Sequence, residues 1–511
     1  MWGITVWTGL SRVAGVLRDA TVARFLGASA SSDAFYTAFR IPNTFRAIVG
    51  EGGLPGAFVP IAKRVERERP GSEGIYAGRV LSLLTLVLAL LVALGLVFSP
   101  ALVDLFARGY RKTEGKFELT VLLTRLMFPY ILLVSSASLL EAFLNAKGRF
   151  QLSAATPIAL NLSIVSAAWI LTPAGVPVPY GLAAGVLVGG LLQFLMQWPA
   201  ARGLGFRFGG SPFRDPDVRR TALQIAPRLY GYGVGQLNFL VSSRTLSELG
   251  DAYYTYNFCA FRIVDFVLGG FVVSVTRAIL PSLSEQALEK DRAEYRGTVG
   301  FGLRLVGLVT IPATVGLLLV AAPVVDLVFR RGRFGATDVR QTALSVMFFA
   351  LGLYAAAGVK ILTQAFYALH DTRTPVIVAT FDLAAFFVLC RWLAGPMKHA
   401  GVALATSAGF WINFVLLFVL LRRRLGRIGG RELLVSTARL LLASLALGAL
   451  ILLGGERLVP YDAAWGFALR AAWLAAFVGA GAAAFWGAAV ALRAPEVSEV
   501  LGVFRRRRPA A

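Results

Sequence analysis

The chain has 511 residues, of which 57% are hydrophobic and 15% are charged, and its mean hydropathy is +0.68. This composition excludes an ordinary soluble protein of this length and indicates a polytopic membrane protein. The formal net charge of +23 is also typical of nucleic-acid-binding proteins, but the basic residues lie in loops between apolar stretches, which favours a membrane topology signal.

Apolar stretches of about 20 residues, the length that crosses roughly 30 Å of hydrocarbon, recur along the whole chain. The clearest begin at Val80, Tyr180, Leu303 and Gly466. With the weaker segments included, the sequence predicts an all-α polytopic membrane protein of about fourteen transmembrane helices. The N-terminal segment lacks a compact apolar run followed by a small-residue cleavage site, so it predicts the first membrane helix rather than a cleaved signal.

The first predicted helix, which begins at Ile4, carries Arg12, Arg18, Asp19 and Arg24. A charged residue at mid-bilayer costs about 2.5 to 3.5 kcal/mol, so we expect this helix to line a wet cavity. A spacing of six residues turns each arginine about 240° from the last. All three arginines therefore cannot face one way on a straight helix, and we assign the last one to structure.

The second predicted helix continues the charged pattern with Asp33, Arg40, Asn43, Arg46 and Glu51. Asp33 and Arg40 are seven residues apart and share a helical face, which predicts an ion pair between them. Arg46 has no carboxylate at helical spacing before it. Glu51 is close enough to shield Arg46 across the following turn.

The sequence DAFYTAFRI, which begins at Asp33, recurs in similar form as DAYYTYNFCAFRI from Asp251; this is the repeated phrase. Likewise, LVDLFARG from Leu102 recurs as VVDLVFRRG from Val324. The offset stays at about 220 residues, which indicates an internal repeat. Because each repeat holds an even number of helices, both enter the membrane from the same side, as in carriers that rock two halves around a central site. The predicted parts are an N-terminal lobe at 1–210, a C-terminal lobe at 211–431, and a C-terminal helix pair with a basic tail at 432–511.

Four arginines in the apolar segments outnumber the acids near them: Arg12, Arg18, Arg46 and Arg262. An excess of buried cations predicts an anionic ligand. Arginine binds phosphate oxygens bidentately and keeps its proton, so several arginines together favour a diphosphate. The alternative is that each arginine only holds the two halves together through buried ion pairs.

Basic clusters lie in alternate loops, beginning at Lys63, Arg214, Arg422 and Arg505. This asymmetry predicts that both ends of the chain are cytoplasmic. Topology and contact with anionic lipids, rather than ligand binding, are the default explanation of these loops.

The stretch from Ser11 to Pro60, SRVAGVLRDATVARFLGASASSDAFYTAFRIPNTFRAIVGEGGLPGAFVP, resembles the N-terminal signature of the MurJ (MviN) lipid II flippase family in the MOP exporter superfamily. The likeness continues at FPYILL from Phe128, ILPSLS from Ile279 and TRTP from Thr372. It implies fourteen helices in two six-helix lobes plus a C-terminal pair. It also implies that undecaprenyl-diphosphate-linked peptidoglycan precursor is moved from the cytoplasmic to the outer leaflet of the bacterial inner membrane, for cell-wall synthesis.

The resemblance also implies roles for particular residues. Arginines matching the four named above are important cations of the family's central cavity, and an acid matching Asp33 accompanies them. The final two helices are associated with a hydrophobic groove for the undecaprenyl tail. Further residues expected around the cavity or its gate are Ser11, Asp19, Asn43 and Glu51.

Some members of the family have a sodium site near the seventh, eleventh and twelfth helices. The candidates for it here are Asp382 and Thr406, while the seventh helix offers Ser242 in place of an acid. No cofactor is expected, and the two candidates for coupling are a sodium ion and the membrane potential, between which the sequence does not decide. The sequence lacks a phosphate-cradling glycine loop followed by Lys and Ser or Thr, so direct use of ATP is not expected.

Other functions compete with this one. A flippase for another lipid-linked oligosaccharide shares the diphosphate chemistry, whereas a drug or cation antiporter of the same superfamily needs an acidic cavity. A membrane enzyme needs a catalytic base or metal ligands, and His370 and His399 both fall near predicted loops, where we expect them at the surface. We expect a monomeric transporter without enzymatic activity or a metal, with lipid II and membrane lipids as partners and no nucleic acid.

Overall fold

A computed structural model describes most of the chain. The described residues are 2–48, 53–289, 292–426 and 428–497. All regular structure within these ranges is helical, which confirms the predicted all-α class. The chain divides into two compact units, unit 1 (Met1–Thr255 with Arg331–Gly335) and unit 2 (Tyr256–Arg330 with Ala336–Ala511).

The described part of unit 1 contains ten complete α-helices of very different length and polarity. α2 begins after Ser29, whose hydroxyl accepts the Ser32 backbone N–H in a capping box,. The helices are α1 (Trp2–Leu26), α2 (Ala30–Arg46), α3 (Leu54–Glu68), α4 (Glu73–Val97), α5 (Ser99–Ala107), α6 (Lys116–Met127), α7 (Tyr130–Ala146), α8 (Phe150–Leu171), α9 (Val178–Gly203) and α10 (Pro216–Leu249).

α8 and α9 pack closely because α9 presents glycines to α8. A Cβ atom added at Gly185 would lie 2.8 Å from the Cα of Ile164, and one at Gly189 would lie 2.8 Å from the Cα of Leu160. Small residues four apart allow membrane helices to approach at backbone distance. This packing holds α8 firmly, and α8 carries one of the polar side chains described below.

α11 begins in unit 1 and continues into unit 2, which contains the remaining helices. Their bounds are α11 (Tyr253–Val267), α12 (Val273–Gln286), α13 (Ala293–Phe329), α14 (Ala336–Ala350), α15 (Leu353–Ala368), α16 (Arg373–Leu425), α17 (Gly430–Leu450) and α18 (Phe467–Ala491). α16 has 53 residues and bends at Lys398, whose φ is +52°. The dihedral angles of Lys398 are not helical, so α16 consists of two helical segments that meet at a kink.

Nine helical segments in the described ranges are long and apolar enough to cross a membrane, or ten if α14 and α15, bent by 44°, form one span. The whole of α16 counts once in that number, and α1, with its four charged residues, is not included. The structure therefore supports a polytopic membrane protein. The count of fourteen helices stays a prediction.

The boundary between the two units falls between Thr255 and Tyr256, inside α11. These units are groups of residues in mutual contact, whereas the predicted boundaries near residues 210 and 431 describe repeats in the sequence. The predicted three-part division therefore stays a prediction.

One prediction about the histidines is wrong. His370 is exposed, but His399 is buried at 3% exposure. Its Nε2 lies 2.9 Å from the Gln341 carbonyl oxygen, and its own carbonyl accepts the Asn257 amide at 2.7 Å. The chain does break next to His399, at Lys398, which is exposed and has non-helical dihedral angles, but the His399 side chain itself is buried.

Candidate functional site

Arg18 is the buried cation of α1, with 7% exposure. Its Nε and Nη2 donate to Oδ1 of Asp19 at 2.9 and 2.7 Å, and its Nη1 donates to Oδ1 of Asn161 on α8 at 3.0 Å. A guanidinium has five N–H donors, and no other described residue accepts the remaining two. The neighbouring acid and α8 therefore fix the side chain while leaving donors for a ligand. The same contacts anchor α1 to α8 within unit 1, whereas the structural alternative requires ion pairs between the two halves.

A chain of contacts continues from Arg18 to the end of α2. Its guanidinium carbon lies 5.9 Å from the centre of the Phe39 ring, within the range of a cation–π contact,. The Phe39 carbonyl accepts the Asn43 amide at 3.0 Å, and the Asn43 carbonyl oxygen accepts Nε of Arg46 at 2.9 Å. Arg46 is half-buried. Unit 1 thus places Arg18, Asn43 and Arg46 along one continuous set of contacts.

The other predicted cavity residues lie elsewhere on α1, in unit 2 or outside the described residues. Ser11 takes part through its carbonyl, which accepts Nδ2 of Asn161 at 3.3 Å. Arg12 is half-buried on α1. Arg262 belongs to unit 2, where it is half-buried and its guanidinium carbon lies 5.1 Å from the Phe258 ring. Its convergence with the other arginines stays a prediction, and Glu51 lies outside the described residues.

Asp33 is fully buried at the start of α2. Its Oδ2 accepts the Lys116 ammonium and the Ala252 N–H, both at 2.8 Å. Its Oδ1 accepts the Thr255 N–H at 2.9 Å and the Thr255 hydroxyl at 2.7 Å. The predicted ion pair with Arg40 is wrong, because these four donors occupy both carboxylate oxygens. The Arg40 guanidinium instead lies 3.5 Å from the Phe239 ring centre.

Lys116 joins the two copies of the repeated phrase. Its Nζ lies 2.8 Å from Oδ2 of Asp33 and 2.8 Å from Oδ1 of Asp251, the residues that open the two copies. It also lies 4.0 Å from the Tyr110 ring centre. Asp251, just before α11, is thereby tied to α2 and α6 through one buried lysine.

Arg24 lies at the C-terminal end of α1 among structural contacts. Its guanidinium carbon is 4.8 Å from the Trp169 ring centre, and its carbonyl accepts the Arg333 N–H at 3.0 Å. A Cβ added at Gly332 would lie 2.3 Å from that same carbonyl oxygen. These contacts support the assignment of Arg24 to structure.

The two candidate cation ligands lie in different parts of α16. Asp382 is 6% exposed, and its Oδ2 accepts Nδ2 of Asn413 at 3.3 Å, whereas its Oδ1 has no hydrogen-bond donor among the described residues. Thr406 donates its hydroxyl to the Val402 carbonyl at 2.9 Å. Within the described ranges, no three His, Cys, Asp or Glu residues are grouped for a metal. The sodium site stays a prediction.

Comparison with known proteins decides the family. The sequence model of the family described as lipid II flippase MurJ matches residues 22–471. The chain belongs to the lipid II flippase MurJ family. The lipid II flippase MurJ of Burkholderia cenocepacia is 34% identical over 430 residues, covering 82% of this chain and 83% of that protein. The probable lipid II flippase MurJ of Vibrio cholerae is 32% identical over 427 residues, or 81% of each chain.

Solved structures agree on the fold. A lipid II flippase MurJ in an inward closed conformation superposes with a TM-score of 0.78 at 22% identity, over 94% of this chain and 98% of that one. An inward-facing multidrug resistance MATE family transporter of the MOP superfamily gives a TM-score of 0.68 at 12% identity, over 83% of this chain and 96% of that one. At these identities the likeness shows the fold alone, which this family shares with MATE transporters.

Proposed function

We propose that this protein is a lipid II flippase of the bacterial inner membrane. It moves undecaprenyl-diphosphate-linked peptidoglycan precursor from the cytoplasmic to the outer leaflet by alternating access. The observation that carries the proposal is the 34% identity, over 82% of the chain, with a protein named lipid II flippase MurJ. Helices suited to a membrane support the location.

Arg18 supplies the chemistry that a diphosphate requires. Asp19 and Asn161 orient its guanidinium group. The two remaining N–H donors of that group suit the oxygens of one phosphate. Charged residues inside a membrane are expensive and usually functional. Arg12, Arg46 and Arg262 add positive charge for the second phosphate, and Ser11 and Asn43 position the arginines.

Asp33 has a gating role in this proposal. Its hydrogen bonds join α2 to Lys116 and to the start of α11. A contact that exists in one state of a carrier shifts the balance of states by its free energy, commonly about 1 to 3 kcal/mol. Asp19, the partner of Arg18, and Glu51 are the other two acids to which the proposal assigns an ion-pair or gating role.

The proposal includes a transporter without enzymatic activity, which works as a monomer with lipid II and membrane lipids and has both termini in the cytoplasm. The basic loops support this orientation. The MATE likeness does not favour drug or cation export, because it rests on fold alone. A flippase for another lipid-linked oligosaccharide would use the same phosphate chemistry, so the experiment must distinguish the two.

The test is complementation of a strain depleted of its lipid II flippase. We expect the full chain to restore growth and to prevent labelled lipid II from accumulating in the inner leaflet. Arg18→Ala at an equal membrane level is the matched control and should not restore growth. Failure of the wild-type chain at normal abundance would contradict the proposal, and clearance of a different lipid-linked sugar would support the alternative. Turnover of lipid II in detergent would indicate an enzyme.

A further inference from the structure

A cavity of about 990 Å³ lies in unit 2 where α16 ends and α17 begins. Its lining includes three arginines, Arg422 from α16 and Arg431 and Arg439 from α17, and two aromatic residues of α16, Phe414 and Phe418. The volume falls at the upper end of the range for small-molecule sites. A cavity lined by both cationic and apolar side chains fits an amphiphilic anion.

The charges around the cavity do not cancel. Glu432 is the one acid among its lining residues, and its carboxylate is 3.6 Å from Nη1 of Arg304, outside the lining. Nη1 of Arg439 donates to the Arg493 carbonyl at 2.8 Å, a contact that leaves its charge in place. Within the described part of the chain, the three lining arginines form no ion pair. Positive charge in excess therefore faces the cavity.

The position of the cavity matches the level of lipid head groups. α16 and α17 both qualify as membrane-spanning helices, and the cavity lies where one ends and the other begins. Leu434, 74% exposed, and Val435, 42% exposed, add apolar surface to the lining from α17. Gly429 precedes α17 without a side-chain cap, so the positive end of this helix adds to the attraction for an anion.

We propose that this cavity binds the head group of an anionic phospholipid from the surrounding membrane. The phosphate lies between Arg422 and Arg431, since Nη1 of Arg422 is within 3.7 Å of a Cβ position at Gly430, next to Arg431. An acyl chain follows Phe418 and Leu434 towards the hydrocarbon. Basic pockets between transmembrane helices commonly hold anionic head groups. The site is separate from the arginines assigned to the transported substrate.

The test uses the full chain, purified in detergent and titrated with phosphatidylglycerol or phosphatidylcholine in native mass spectrometry. We expect phosphatidylglycerol to bind more tightly than phosphatidylcholine. The double variant Arg422→Gln/Arg431→Gln should weaken phosphatidylglycerol binding about tenfold or more, because each arginine contributes separately. Arg423→Gln is the matched control, since Arg423 is an exposed neighbour outside the cavity lining, and it should change the affinity less than about twofold.

Several outcomes would overturn the proposal. An equal loss in Arg423→Gln would show that total charge, rather than the cavity, attracts the lipid. Competition by inorganic phosphate at the same affinity would indicate a site for a free anion, and displacement by lipid II would assign the cavity to the substrate. Retained binding in Arg422→Lys/Arg431→Lys would support the proposal. Because the altered side chains are exposed, the lipid-free melting temperature should stay unchanged.

Discussion

Nζ of Lys116 lies 2.8 Å from a carboxylate oxygen of Asp33 and equally close to one of Asp251. Asp33 has no exposure to solvent, and the Lys116 side chain is 1% exposed. Removing one partner of a buried ion pair leaves an uncompensated charge, which costs about 3 to 5 kcal/mol.

We therefore expect Lys116→Met to lower the melting temperature in detergent strongly, and Asp33→Asn added to it to restore part of the loss. The control is Lys112→Met, because Lys112 is an exposed lysine in the preceding turn. A double-mutant cycle measures the coupling between Lys116 and Asp33. Equal melting temperatures for the Lys116 and Lys112 variants would contradict the buried pair.

Arg18 is predicted to be essential for transport. Arg18→Ala should abolish complementation at a normal protein level, because it removes the donors aimed at phosphate. Arg18→Lys should restore little activity, since lysine keeps the charge but loses the planar fork. Arg262→Ala should behave like Arg18→Ala. Full growth with both alanine variants would remove these arginines from the substrate site.

Arg24 should matter for stability rather than transport. Arg24→Ala removes the contact with Trp169, and an exposed cation–π contact contributes about 0.5 to 1 kcal/mol. We expect a lower melting temperature or protein level, with transport per molecule retained. Lost transport at normal abundance would instead place Arg24 in the substrate site.

Gly189 should tolerate no side chain. Gly189→Ala places a Cβ 2.8 Å from the Leu160 backbone, and overpacking of this kind costs about 1 to 3 kcal/mol. Gly203→Ala, near the end of the same helix, meets nothing within 4 Å and serves as the control. Thermal unfolding of the two variants measures the difference, and equal stability would show that α8 and α9 separate easily.

Asp215 has two roles at the start of α10 that substitution can separate. Its Oδ1 accepts the backbone N–H of Asp217 at 2.9 Å, and its Oδ2 accepts Nη1 of Arg79 at 2.7 Å. Asp215→Asn keeps the helix cap and loses the ion pair. Asp215→Ala loses both, so it should be less stable by about a further 1 kcal/mol.

The direction of the Asp215 pKa shift determines how the stability difference between wild type and Asp215→Ala depends on pH. Burial alone would raise the pKa of Asp215, but the Arg79 hydrogen bond and two backbone N–H groups outweigh it and lower the pKa. The stability from Asp215 is therefore fully present above the ordinary aspartate pKa and is lost as pH falls through the lowered one. From about pH 8 to pH 5, the melting temperature difference between wild type and Asp215→Ala should stay constant.

The helical class and the unusual charges of α1 and α2 were predictable, because hydrophobic runs and the residues that interrupt them are local signals. The partners of those charges were not. Lys116 follows Asp33 by 83 residues, and Asn161 follows Arg18 by 143, so no spacing rule relates them. Both residues stand at or within apolar segments, where a polar side chain is itself a functional signal.

Helical spacing also gave a wrong partner for Asp33. Seven residues place Arg40 on the same face, but Asp33 lies in the first turn of α2, where the start of α11 supplies backbone and hydroxyl donors. Helical periodicity relates residues within one helix only. It therefore does not predict a hydrogen-bond donor from another part of the chain.

The segment Arg331–Gly335 folds with unit 1 although its neighbours in sequence belong to unit 2. Gly332 and Arg333 pack against Arg24, and a Cβ at Gly27 would lie 2.8 Å from the Arg333 carbonyl oxygen. Because the ribosome produces a chain from its N-terminus, the first unit must wait for this segment before its packing is complete. A fragment that stops after Thr255 would lack it. Biogenesis of the N-terminal unit therefore depends on synthesis well into the second half of the protein.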